Sequence, residues 1–147
     1  ISLQNRGANF SLDPASDNCL AGGKRSYHTI IPGFLLRDGA AVGPFGVMGA
    51  FMQPQGQTEV LVNTLDYHMN PQEALDAPRI QWIGGRRLEL EREAGEAIAD
   101  ELRAMGHEVT VVDDRISMGR GQIIWRGEDG VYTAGTEPRC DGAVAAW

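Results

Sequence analysis

The chain of 147 residues sets 13 Lys and Arg against 20 Asp and Glu, a net charge of −7, and Lys24 is its only lysine. That length supports one domain, or part of one, burying roughly two-thirds of its unfolded surface. The acidic balance without a basic stripe excludes nucleic acid as the main partner. The lack of any apolar run near the roughly 20 residues of a membrane span excludes a spanning helix.

The N-terminal residues show no basic-then-apolar signal pattern, and Ile1-Ser2-Leu3 reads as a strand already under way, so the chain is expected to be a soluble piece of something longer, its compartment open. Residues 11–26, rich in Ser, Asp, Asn, Gly and Pro, read as a long surface loop. "YHTIIPGFLLRDGAAVGPFGVMG" holds two apolar runs about Asp38-Gly39, a dipeptide that accepts positive φ at both positions, and predicts a hairpin. The near-continuous apolarity of these runs predicts strands covered on both faces.

"QTEVLVNTLDYHM" then predicts a helix with Val60, Leu61, Thr64, Leu65 and His68 on one side and Glu59, Asn63 and Asp66 opposite. Asn70 as N-cap, Pro71 at the first position and Pro78 beyond predict a second, short helix. A strand is expected near Arg87–Leu90. A third helix should follow, with Ala94, Ile98, Leu102 and Met105 on one face and a stop at Gly106. "HEVTVVD" reads as a strand, and "GQIIWRGEDGVYTAG" as a hairpin turning at Asp129-Gly130. Helices are therefore layered against antiparallel strands, an α+β architecture.

The chemically suggestive stretch is "GVMGAFMQPQG". A strand ending at Gly49-Ala50 with a helix beginning near Pro54 leaves successive amide N–H groups unpaired, and such groups attract negative charge. Three readings stay open: glycines for close packing, an oxyanion site for acyl transfer, and a phosphate site. The last lacks the glycine-lysine spacing of phosphate loops. His28, His68 and His107 show no metal-ligand spacing, so no metal or cofactor is expected. Cys19 and Cys140 lie outside any CxxC pattern and read as free thiols, with a disulfide as the alternative. Asp113-Asp114 and "ELEREAGE" read as solvated faces. Arg6, Arg25 and Arg139 flank loop sequence, where an arginine can clamp a carboxylate or form a structural ion pair.

In order and spacing, "GKRSYHTIIPGFLLRDG", "GVMGAFMQPQG", "LDYHMNPQEALDAPRIQW", "LRAMGHEV" and "TEPRCDGAVAAW" resemble the C-terminal part of the small subunit of the gamma-glutamyltransferases and cephalosporin-acylase-like enzymes. The resemblance runs over nearly the whole chain. It implies part of an αββα sandwich of the N-terminal-nucleophile hydrolases, which mature by self-cleavage that exposes a Thr whose α-amine serves as base. It also implies Gly49 and Ala50 as the paired amide donors to the tetrahedral oxyanion, with Ala50 where the family usually has a second Gly. His28 and Thr29 fall on the family's serine pair that touches the substrate carboxylate, and Arg6 and Asn9 on its substrate-facing Gln and Asp. Arg6 repels an ammonium group and attracts a carboxylate, so the resemblance points toward a carboxylate-bearing acyl group in place of γ-glutamyl. The implied partners are the large subunit, the N-terminal part of the small subunit and a small amide substrate, with association into a homo-oligomer also open. The nucleophile would lie upstream of Ile1, so this chain alone should be inactive. A true γ-glutamyl transferase, or a non-catalytic binding domain of the same fold, are the alternatives.

Overall fold

The computed structural model describes residues 5–147, so the strand expected over residues 1–3 lies outside the described residues. The chain divides into two compact units, Ile1–Ile31 and Pro32–Trp147. In the first, a 3-10 turn at Arg6–Asn9 precedes an exposed loop pinned by a bridge between Ser11 and Cys19. The polar composition that marked this loop is consumed locally: Ser11 Oγ accepts from Asp13 N at 3.0 Å and Asp13 Oδ1 from Ala15 N at 2.9 Å. Short side chains that bond their neighbours' backbone stabilise turns in place of regular structure. His28 and Thr29 lie in irregular chain ahead of the first strand.

The second unit runs β1 (Gly33–Arg37), β2 (Ala40–Met48), α1 (Met52–Leu65), α2 (Pro71–Asp76), β3 (Ile80–Gly84), β4 (Arg87–Glu91), α3 (Glu96–Ala104), β5 (Glu108–Val112), β6 (Arg120–Arg126) and β7 (Tyr132–Thr136). Strands β1-β2-β6-β7 form one antiparallel sheet in that order. The first hairpin turns at Asp38 and Gly39, with φ of 51° and 81°. α1 and α2 cover one face, and Phe45, Val47, Val60, Ala74, Leu75, Ile123 and Trp125 form the core between them. Phe45 and Trp125 meet with ring centroids 5.8 Å apart and planes at 54°, a tilted contact worth about 0.5–1.5 kcal/mol beyond the area it buries. The opposite face presents exposed Phe34, Leu36, Met48 and Ile124. Coverage on both faces, expected from the apolar runs, is therefore absent among the described residues. Helices α1 and α2 on this sheet make one helix-on-sheet layer pair of an α+β fold.

β3-β4-β5 form a second sheet. β3 pairs antiparallel with β4, but β4 and β5 are parallel, joined by a crossover through α3. This corrects the purely antiparallel expectation, and parallel neighbours need such a connection. α3 also turns differently from its apolar spacing: Ala99 is fully buried, whereas Ile98 and Met105 are exposed and Ala94 belongs to the preceding 3-10 turn. α2 matches its capping signature closely. Asn70 Oδ1 accepts from Gln72 N and Glu73 N at 3.0 Å, and Glu73 Oε2 accepts from Asn70 N at 2.9 Å, a reciprocal capping box.

Candidate active site

β2 delivers the turn of interest. Its ladder to β6 ends at the Met48–Arg120 pair, and the next two amides, of Gly49 and Ala50, donate to no backbone carbonyl among the described residues. Their carbonyls are used, accepting from Met52 N at 2.9 Å and Gln53 N at 3.1 Å as α1 begins. Ala50 has φ 51°, in the left-handed region. That conformation costs a non-glycine residue about 1–2 kcal/mol, so the surrounding packing must impose it. Phe51, at the N-cap of α1, makes no side-chain cap hydrogen bond. The positive end of the helix therefore adjoins two unspent N–H donors.

Close approach fixes this turn. A Cβ on Gly49 would lie 2.9 Å from Gly119 Cα, and one on Gly119 would lie 2.8 Å from Met48 O. A Cβ on Gly56, one turn into α1, would meet Val47 Cγ1 at 2.8 Å. These glycines bring the helix, the strand end and the segment entering β6 together at distances no side chain permits.

Behind Gly119 lies a buried ion network. Arg79 Nη1 donates to Met118 O at 2.8 Å and Gly119 O at 3.1 Å, and its Nη2 to Glu137 Oε2 at 2.9 Å. The same Glu137 oxygen accepts from Gly121 N at 2.6 Å. Arg139 donates to both Glu91 oxygens, to Glu137 Oε1 at 2.7 Å and to Leu75 O at 2.8 Å. Arg115 Nε adds a contact to Glu91 Oε1 at 3.1 Å. Burial pulls the Arg139 guanidinium down, but hydrogen bonds to Glu91 and Glu137 outweigh it and hold its pKa above the ordinary value. Burial raises Glu91, and hydrogen bonds from the Arg139 side chain and the Arg79 backbone bring it below the usual carboxylate range. Burial lowers Arg79, and the Arg139 charge adds to that; a guanidinium nevertheless stays charged in proteins.

Of the two readings open for Arg139, the structural ion pair holds: it is spent on Glu91 and Glu137, with its side chain 1% exposed. Glu91, expected on a solvated face within "ELEREAGE", is fully buried. A third carboxylate joins from α1: Glu59 Oε1 accepts from Ile80 N at 3.0 Å, while Oε2 is sequestered with no hydrogen-bond partner. Burial pushes Glu59 up from 4.5 to about 7, against the Ile80 amide, Arg79 and Arg139, which pull it down. β3 therefore meets α1 at Glu59, on the side that the helical spacing sets opposite Val60 and Leu61.

The remaining expected site residues, Arg6, Asn9, His28 and Thr29, belong to the Ile1–Ile31 unit. There Arg6 Nη1 donates to Thr29 Oγ1, so these two come together. The Asn9 carbonyl accepts from Asn18 Nδ2 at 2.7 Å, and His28 is exposed. Among the described residues, no group of three or more His, Cys, Asp or Glu is arranged to hold a metal ion. Cys19 and Cys140 are free thiols.

The family model described as gamma-glutamyltranspeptidase matches residues 1–147. The chain belongs to this family. Among gamma-glutamyltranspeptidase relatives, a glutathione hydrolase-like proenzyme of Bacillus subtilis is 38% identical over 98% of this chain and 29% of its own length. The oxamate amidohydrolase proenzyme of Klebsiella pneumoniae subsp. pneumoniae is 36% identical over 100% of this chain and 29% of its own length. The solved structure of cephalosporin acylase from Bacillus halodurans superposes with a TM-score of 0.96 at 57% identity, covering 100% of this chain and 28% of that one. The chain thus spans under a third of the length of these relatives.

Proposed function

We propose that this chain is the C-terminal part of an N-terminal-nucleophile amidohydrolase or acyltransferase. Gly49 and Ala50 supply the amides that receive the oxyanion, and Arg6, Asn9, His28 and Thr29 contribute to the acyl pocket. The observation that carries this reading is the end of the β2 ladder at Met48 with the Gly49 and Ala50 amides unspent and Ala50 held at φ 51°. Donors already fixed before charge develops stabilise a transition state without reorganising.

The Thr nucleophile lies upstream of this chain, its own α-amine taking the hydroxyl proton as the oxygen attacks the amide carbon. The carbonyl oxygen becomes negative in the tetrahedral intermediate and receives the two N–H bonds. Collapse breaks the C–N bond, the amine leaves with the proton, and an acyl-enzyme remains for water or an amino acceptor. With the nucleophile outside it, this chain contributes the oxyanion donors and part of the acyl pocket, and the attack itself belongs to the full-length protein.

The acyl group is carboxylate-bearing and lacks the α-ammonium of a γ-glutamyl donor. Arg6 beside Thr29 supports this, since a guanidinium attracts a carboxylate and repels an ammonium. The name of the oxamate amidohydrolase relative fits an anionic amide substrate of this kind. Steady-state kinetics of the full-length protein test the reading. A dicarboxylic monoamide or oxamate should show the higher kcat/KM, and efficient γ-glutamyl anilide turnover would overturn it.

A further inference from the structure

The network behind the turn is more elaborate than a core requires. Replacing a buried ion pair by apolar residues of similar volume is often neutral or stabilising, so packing alone does not account for Arg79 and Glu137. What they offer that apolar residues cannot is direction. Arg79 Nη1 grips two successive carbonyls, Met118 O at 2.8 Å and Gly119 O at 3.1 Å, and Glu137 Oε2 grips the guanidinium at 2.9 Å together with the Gly121 amide at 2.6 Å. Both side chains are essentially inaccessible, at 2% and 0% exposure, so neither meets a substrate. The backbone they fix, Met118 to Gly121, is the surface against which the candidate turn rests. Gly119 is so close that a Cβ on either it or Gly49 would strike the backbone of the other segment. Any slackening of Gly119 therefore reaches the peptide planes of Gly49 and Ala50 across one van der Waals contact.

We infer that Arg79, held by Glu137, is a positioning residue for the Gly49 and Ala50 amides, setting their aim through the Gly119 backbone. The inference rests on the oxyanion reading proposed above. It separates two roles that one would otherwise assign together: the amides touch the reacting oxygen, and the ion pair acts only through them. Donor aim matters little to a planar ground-state amide and strongly to the tetrahedral oxyanion, so the effect belongs in kcat rather than KM.

The test uses the full-length protein, with rates normalised to processed enzyme, and compares wild type, Arg79→Lys and Glu137→Asp. Lysine keeps the charge but cannot serve both carbonyls and Glu137 in the same planar geometry, and aspartate keeps the charge but shortens the reach. The expected result is a fall in kcat of about tenfold or more, with KM changed by less than about threefold. An aldehyde analogue of the substrate, which forms a tetrahedral oxyanion on the nucleophile, should lose affinity by the same factor as kcat. A merely structural defect would not divide ground-state from tetrahedral binding in this way.

If wild type binds the aldehyde no more tightly than the parent amide, the oxyanion reading itself falls. If wild type shows that preference and the folded variants keep both it and kcat, only the positioning inference falls. A variant that fails to fold is replaced by the other. Loss of the fold in both would mark the pair as framework and end the inference.

Discussion

Glu59 makes the pH dependence of this protein a direct test of the buried network. Its carboxyl holds a proton to about pH 7 in the folded chain, against 4.5 for an ordinary glutamate. The folded state therefore binds that proton more tightly than the unfolded state does. The resulting stability is fully present below pH 4.5, declines as pH rises through the interval to about 7, and is gone above it. At about 1.4 kcal/mol for each tenfold change in proton affinity, the decline approaches ~3 kcal/mol. Glu59→Gln retains an oxygen for the Ile80 amide at the 3.0 Å position and cannot ionise. The amide nitrogen it places where Oε2 finds no partner costs about 1–3 kcal/mol, the same at every pH. Urea unfolding of the full-length protein followed by tryptophan fluorescence, between pH 4.5 and 8, should show a wild-type advantage over the variant that shrinks by about 3 kcal/mol as pH rises. Other titrating groups cancel in the difference. Parallel curves for the two proteins would refute a Glu59 that is buried and neutral.

Gly49→Ala should lower both stability and kcat, because its Cβ would sit 2.9 Å from Gly119 Cα; overpacking of this kind costs about 1–3 kcal/mol, read as a lowered urea midpoint. Ala50→Gly should keep activity and leave stability unchanged or raised by up to about 1 kcal/mol, since φ 51° no longer strains a Cβ. Arg139→Ala should cost about 3–5 kcal/mol, because it strands Glu91 and Glu137 with their carboxylates buried. Residues 1–147 alone should self-associate through the open sheet face bearing Phe34, Leu36, Met48 and Ile124, so a stable monomer by size-exclusion chromatography would contradict that expectation.

Features written in neighbouring residues were legible in the sequence. Asp38-Gly39 turns the first hairpin, Asn70-Pro71 with Glu73 caps α2, and Gly106 at φ 94° ends α3 where its position indicated. Features decided by distant partners were not. β3 escaped notice because "IQWIG" is short and runs into glycines, and its strand character comes from pairing with β4. The parallel match of β4 to β5 depends on where α3 returns the chain, which no local pattern encodes. Glu91 reads as surface charge, and Arg139 as either a clamp or an ion pair, because sequence shows a charge but hides its partner. The turn at Gly49-Ala50 stood out because backbone bareness is itself a local property, while the reason for it, Gly119 some 70 residues later, is not.

The rim of the second sheet carries one more consequence. Among the described residues β3 is an edge strand, and its outward amides would ordinarily offer a template for a foreign strand. Here Gln55 from α1 bonds both the amide and the carbonyl of Trp82, at 2.7 and 3.2 Å, and Glu59 takes the amide of Ile80. Two side chains thus impersonate a neighbouring strand, and the protein is spared fibre-like growth along that border without a proline or a lysine to guard it.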